Sequence, residues 1–282
     1  MKTKKIQKIV KAHPTSDGAG VKLRRVFGYN EIPDFDPFLL FDHFGSDNRE
    51  DYMAGFPWHP HRGIETVTYM LKGAVEHGDS MGNSGIIESG DVQWMTAGNG
   101  IIHQEMPQGD SDGMSGFQLW VNLPATEKMM DPRYREIKSK EIPEVYLKNG
   151  IMVKVLAGKF MDATGPVQDL IVECNYFDIS LKKGSVFKYN VIDDKKVILY
   201  VYEGSIFMPE DEKEVESYHA VILGEGNLVE IAGKSDAKVL LFSGEPINEP
   251  IHWGGPIVMS TKEDLRQAFD DYNNGTFIKN MK

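Results

Sequence analysis

The chain carries eight histidines and one cysteine, Cys174, so any metal it holds must be bound through nitrogen and oxygen. Residues 55–73 read "GFPWHPHRGIETVTYMLKG", with His59 and His61 separated only by Pro60. In a β-strand, residues i and i+2 face the same side, so these two imidazoles can aim at one point. Further on, "GNGIIHQEMP" sets His103 and Glu105 at the same spacing. Two such pairs on facing strands would supply three nitrogens and one carboxylate oxygen, a donor set for a divalent first-row metal. A lone His-x-His is weak evidence. Two pairs, each in a strand-and-turn setting, make coincidence the poorer reading. Glu65 shares the parity of His59 and His61, and spacing alone does not choose between it and Glu105.

The elements that must position these residues are short and β-rich. "PFLLF" (37–41), "ETVTYML" (65–71), "DVQWM" (91–95), "FQLWVNL" (117–123), "MVKVLAG" (152–158), "VILYVY" (197–202), "AVILG" (220–224) and "AKVLLF" (237–242) are strand-length runs between turn signals. Such spacing predicts an all-β protein of the sandwich or barrel kind. Two stretches read otherwise. "TEKMMDPRYREI" (126–137) suggests a short helix or 3₁₀ turn broken at Pro132. "STKEDLRQAFDDYNNG" (260–275) predicts a helix capped by Ser260 or Thr261, with Leu265, Ala268, Phe269 and Tyr272 on one apolar face. "TYMLKGAVEH" (68–77) is echoed by "LYVYEGSIFM" (199–208), and "GIIESGDVQWM" (85–95) by "AVILGEGNLVEI" (220–231). The echo predicts two copies of one β domain, 1–135 and 136–282.

Bulk properties narrow the function. A net charge of −11 opposes the basic field that nucleic-acid binding needs, so direct DNA or RNA binding is excluded. The basic cluster "MKTKKIQKIVK" reads as a solvated first strand or arm. No run approaches the ~20 apolar residues of a membrane span, no signal peptide is evident, and one cysteine forms no intrachain disulfide, so a soluble cytoplasmic protein is expected.

"HPHRGIETVTYMLKG" followed by "GDVQWMTAGNGIIHQEMP" resembles the cupin superfamily and, within it, the pirin family. The resemblance extends through "DPFLLFDHF", "GFQLWVNLP", "LGEGNLVEI", "GEPINEP" and "WGGPIVMSTKEDLRQAFDDY", and so covers nearly the whole chain. It implies a bicupin, two jelly-roll β-barrels with a short C-terminal helix, and one metal in the N-terminal barrel. The implied ligands are His59, His61, His103 and Glu105, which favours Glu105 over Glu65. Iron(II) is the metal the resemblance implies, although Mn, Ni, Co, Cu or Zn would fit the same donors. The implied activity is that of a quercetin 2,3-dioxygenase, which opens a flavonol with O2, with Glu105 as ligand and general base. The alternative is an iron- or redox-responsive regulator that binds a protein partner.

The second barrel departs from the ligand pattern. Aligning Gly73 with Gly204 and Gly90 with Gly226 puts Asn190, Ile192, Val239 and Leu241 at the ligand positions, and none binds metal well. That barrel is expected to be metal-free. His219 has no histidine partner in its repeat, and His13, His77 and His252 have no evident constellation around them.

Overall fold

The computed structural model describes residues 1–108, 113–191 and 195–279. Twelve strands lead the chain: β1 (Ile6–Lys11), β2 (His13–Asp17), β3 (Val21–Phe27), β4 (Phe38–Ser46), β5 (Phe56–His61), β6 (Ile64–Lys72), β7 (Ala74–Asp79), β8 (Ser84–Glu88), β9 (Val92–Thr96), β10 (Ile101–Gln108), β11 (Met114–Asn122) and β12 (Arg133–Ile137). Each of the eight apolar runs picked out above lies in a strand, overrunning it by at most one residue at an end. The protein is all-β, as expected, with one α-helix among the described residues, α1 (Lys262–Asn273).

Two compact units emerge, and neither is a continuous segment. One comprises residues 13–139 and 247–282, the other residues 1–12 and 140–246. The simple division into 1–135 and 136–282 therefore differs from the structure at both termini. β1 pairs antiparallel with His219–Leu223 and closes the later unit's sheet, so the basic arm is an edge strand. Residues 247–279 return to the earlier unit.

The earlier unit has a seven-stranded sheet in the order β12-β9-β6-β11-β4-β3-β2 and a four-stranded sheet in the order β5-β10-β7-β8, a jelly-roll arrangement. β-Branched and aromatic residues alternate along these strands and fill the interior with Leu23, Phe44, Met70, Val75, Ile87 and Met114. Residues 126–137 form no helix. A turn precedes Pro132, and Arg133–Ile137 becomes β12, paired with β9. Pro132 has no N–H to continue a helix, and the strand beyond it satisfies its own backbone on the sheet edge. The predicted terminal helix is present, with Thr261 as N-cap accepting from the Asp264 N–H at 3.0 Å. Of its expected apolar face only Ala268 is buried, while Phe269 and Tyr272 are exposed.

The later unit repeats the two-sheet plan. Its four-stranded sheet runs Val186–Asn190, Leu228–Gly233, Ser205–Met208, Lys213–Glu216, matching β5-β10-β7-β8 in order. This corrects the internal alignment by one strand. Gly226 precedes the counterpart of β10, so it matches Gly100 rather than Gly90. Gly100 and Gly226 share φ values of +138° and +135°, backbone that favours glycine. The positions matching His103 and Glu105 are therefore Val229 and Ile231, whereas Val239 and Leu241 lie in the other sheet. Tyr189 opposes Val229 as His59 opposes His103, so Tyr189 and Val191 replace Asn190 and Ile192. Asn190 is exposed, and Ile192 lies outside the described residues. Val229, Ile231 and Val191 are buried in a hydrophobic cluster with Phe187 and Tyr189.

Candidate metal centre

β5, β10 and β7 lie side by side and bring three side-chain pairs to one face. His59 opposes His103 and His61 opposes Ile101, while Glu105 opposes His77 and His103 opposes Asp79. The i, i+2 parity read from the sequence then carries every member of these pairs inward. A bulge interrupts the β5–β10 register between His103 and Glu105, so Glu105 sits opposite Phe56. Ligand atoms of His59, His61 and His103 all lie within 4.8 Å of one another. His61 and His103 are buried and His59 is half-buried.

Hydrogen bonding fixes two of the tautomers. His59 Nδ1 lies 2.9 Å from the Pro57 carbonyl and His61 Nδ1 lies 3.1 Å from the Pro256 carbonyl. A carbonyl only accepts, so each Nδ1 carries the proton and each neutral ring presents a bare Nε2. Those two Nε2 atoms face each other at 3.1 Å. Two lone pairs held this close repel unless a cation lies between them. Both His103 nitrogens are buried without a hydrogen-bond partner among the described residues. Burial, and then the neighbouring His61, His59 and His77, lower the His103 pKa well below 6.5. Burial, followed by His59, does the same to His61 against the opposing pull of the Pro256 carbonyl. His61 and His103 are thus kept neutral, as metal ligands must be. Facing lone pairs and an unpartnered buried imidazole fit a divalent metal, and the residues present can hold one.

Glu105 is 5% exposed and lines the same cavity as His59 and His61. Its Oε1 accepts from the Thr68 hydroxyl at 2.9 Å. Its carboxylate is not among the ligand atoms that meet within 4.8 Å. Glu65 is elsewhere. It lies on β6 between β9 and β11, fully buried, with its Oε1 accepting from the Thr96 hydroxyl at 2.6 Å. Burial raises its pKa above the ordinary carboxylate value.

Sequence reasoning missed two sets of partners. One is His77, set aside above, which is buried with Nε2 3.0 Å from Asp79 Oδ2 and stacked on Tyr134 at 4.5 Å. The signal was available, since His77-x-Asp79 is a third i, i+2 pair. The other is the returning C-terminal segment. It supplies the Pro256 carbonyl, and Asp271 of α1 pairs at 2.7 Å with Arg62, the buried neighbour of His61. No local pattern announces contacts this distant in the chain.

The site opens into a cavity of about 700 Å³. Trp120 and Trp253 form one wall with ring centroids 5.7 Å apart, Tyr29 meets Trp253 edge-on, and Trp120 meets His61 edge-on at 5.1 Å. Arg25, the one Lys or Arg on the lining among the described residues, is bonded to both Asp42 and Asp17. Aromatic and aliphatic side chains dominate the lining, with Asp17, Arg25, Asp42, Thr68, Glu105 and Gln118 as polar groups beside the histidines, a mixture that suits a flat aromatic ligand carrying hydroxyls.

Known proteins share this chain's sequence and architecture. The family described as Pirin matches residues 20–121, and the Pirin C-terminal cupin domain matches residues 176–278. A pirin-like protein of Caulobacter vibrioides is 49% identical over 98% of this chain and 100% of its own length. A Pseudomonas aeruginosa protein, provisionally named a quercetin 2,3-dioxygenase, is 45% identical over 93% of this chain and 94% of its own. The crystal structure of a quercetin 2,3-dioxygenase from Acinetobacter baumannii superposes with a TM-score of 0.91 at 34% identity, covering 98% of each chain.

Proposed function

The chain belongs to the pirin family, and from that premise we propose that it is a metal-dependent dioxygenase that cleaves flavonols with O2. One observation carries the reading. Two bare imidazole nitrogens face each other at 3.1 Å beside a third, buried imidazole, on the lining of an aromatic cavity. His59, His61, His103 and Glu105 are the residues we assign to the metal. Iron(II) is our first choice, with Mn, Ni, Co, Cu or Zn able to occupy the same donors. When bound, the ion supplies a Lewis acid that lowers the pKa of a hydroxyl beside it and leaves coordination positions open to the reactants.

The chain's own residues do the rest. Glu105 Oε accepts the proton of the flavonol 3-hydroxyl as general base, held in place by the Thr68 hydroxyl. Trp120 and Trp253 orient the planar ring system. Pro57 and Pro256 keep their histidines in the tautomer that turns Nε2 inward. The barrel that carries Tyr189, Val191, Val229 and Ile231 at the matching positions binds no metal in this reading. We place the protein in the cytoplasm.

Iron-loaded protein is expected to bleach quercetin with stoichiometric O2 uptake, and His59→Ala is expected not to. Equal rates for the two proteins would refute the assignment. Metal bound at His59 without turnover would favour the regulatory reading, in which ferrous and ferric forms differ in their affinity for a protein partner.

A further inference from the structure

His77 and Asp79 on β7 have no part in the reaction outlined above. Asp79 accepts from the Met81 N–H, the Asn83 N–H and the Asn83 side-chain amide at 2.9, 3.0 and 2.9 Å. A carboxylate so surrounded by donors is itself only an acceptor. His77 Nε2, 3.0 Å from Asp79 Oδ2, therefore carries a proton. In its neutral form the ring offers Nδ1 as a lone pair, and that atom is buried with no hydrogen-bond partner among the described residues. Tyr134, stacked at 4.5 Å with planes 18° apart, holds the ring's plane.

Diagonally across the β7–β10 ladder lies His103, with a ring centroid 5.5 Å from that of His77. A neutral imidazole has one lone pair and one N–H. If the His103 lone pair serves the metal, its N–H requires an acceptor, and neither His103 nitrogen has a partner among the described residues. A buried acceptor without a donor thus stands beside a buried donor without an acceptor. Leaving both unmet is costly, and joining them removes both costs.

We propose that His77, oriented by Asp79, is a positioning residue that accepts the N–H of His103 and so fixes the tautomer in which His103 binds metal. The inference rests on the metal-site reading above. It adds an Asp79–His77–His103 chain running inward from β7, while His59 and His61 rely on backbone carbonyls.

The test is cobalt(II) binding to the full-length apo-protein, measured by calorimetry and by the visible spectrum of the bound ion. His77→Phe keeps the stack on Tyr134 and removes the acceptor, and it is expected to weaken cobalt binding by about 10- to 100-fold. His77→Gln restores a carbonyl acceptor and is expected to recover part of the loss. Asp79→Asn can present N–H instead of oxygen to His77 Nε2. That would turn Nδ1 into a donor, so the variant should weaken binding and shift the cobalt spectrum while His77 stays in place. Should His77→Phe fail to fold, the other two variants decide. Cobalt affinity within twofold of wild type in folded His77→Phe, or in Asp79→Asn, overturns the inference and leaves the metal site standing. Cobalt binding unaffected by His59→Ala overturns the site itself.

Discussion

The joint between α1 and the histidine strand should govern the stability of the metal-bearing unit. The Arg62 guanidinium is 2% exposed, bonds Asp271 at 2.7 Å and the Phe277 carbonyl at 2.8 Å, and lies 4.2 Å over the Phe277 ring. Asp271 has further donors in Lys279 at 2.7 Å and Gln267 at 3.1 Å. The two partners are therefore unequal. Asp271→Asn leaves a buried cation without its anion, a change that costs roughly 3–5 kcal/mol. Arg62→Met leaves Asp271 paired with Lys279, so only about 1.5–3 kcal/mol of charged hydrogen bonding is lost. The double variant should cost little more than Arg62→Met, so the coupling should cancel most of the Asp271→Asn cost, about 3 kcal/mol or more. Urea denaturation at pH 7 reads these differences, and Asp271→Asn should lower Tm by roughly 10 °C. The pH dependence has a definite sign. Burial works to raise the Asp271 pKa, but hydrogen bonds from Lys279, Arg62 and Gln267 hold it well below 3.8. Its contribution is complete above that value and is lost progressively below it, as pH falls through the lowered native value. The gap between wild type and Asp271→Asn should therefore narrow below pH 4. An Asp271→Asn cost smaller than that of Arg62→Met, or additive single effects, would refute the reasoning.

The two carboxylates should separate cleanly. Glu105→Ala is expected to strip most of the metal by elemental analysis, whereas Glu65→Gln keeps it. Because burial raises the Glu65 pKa, ionised Glu65 opposes folding as pH rises through that raised value, so Glu65→Gln should be neutral or stabilising at pH 8 in thermal denaturation. Gly63 has φ +78°, and an added Cβ would lie 2.0 Å from the Val258 carbonyl oxygen. Gly63→Ala should thus cost at least about 2 kcal/mol, read as a lowered urea midpoint. Chelation of the metal-loaded protein should lower Tm, with about 2.7 kcal/mol lost relative to metal at 100 times its dissociation constant. An unchanged Tm in His103→Ala on chelation would tie that loss to the site.

What could be read without coordinates was whatever depends on strand parity. His59, His61 and His103 converge because a period of two, applied to two short segments, needs no knowledge of the rest of the fold. The same rule would have found His77 and Asp79, had a His-x-Asp pair been weighed as a hydrogen-bonded unit as well as a ligand pair. Glu65 misled for the opposite reason. It keeps the parity of His59, but β5 ends at His61 and the chain turns at Gly63, so β6 belongs to the other sheet. Parity does not survive a turn. The unit boundaries were illegible because β1 and residues 247–279 each join the unit more distant in sequence, through contacts such as Lys4 Nζ to the Gly224 carbonyl and Arg62 to Asp271.

The two barrels show how little of a metal site resides in its scaffold. Strand order, the glycine turns at Gly73 and Gly204, and the left-handed glycines at Gly100 and Gly226 are common to both. The difference is confined to what projects inward. Where one interior has His59, His61, His103 and Glu105, the other has Tyr189, Val191, Val229 and Ile231, packed with Phe187. A buried polar side chain needs partners, and those in the first barrel come from residues other than the ligands themselves: the carbonyls of Pro57 and Pro256 and the Thr68 hydroxyl. The second barrel offers apolar contacts in the same places, which stabilise a hydrophobic core and would penalise an imidazole. Four ligand substitutions there would leave orphaned N–H groups in a dry interior. On this argument, the specificity of the pirin site for one barrel lies as much in the supporting acceptors as in the ligands they orient.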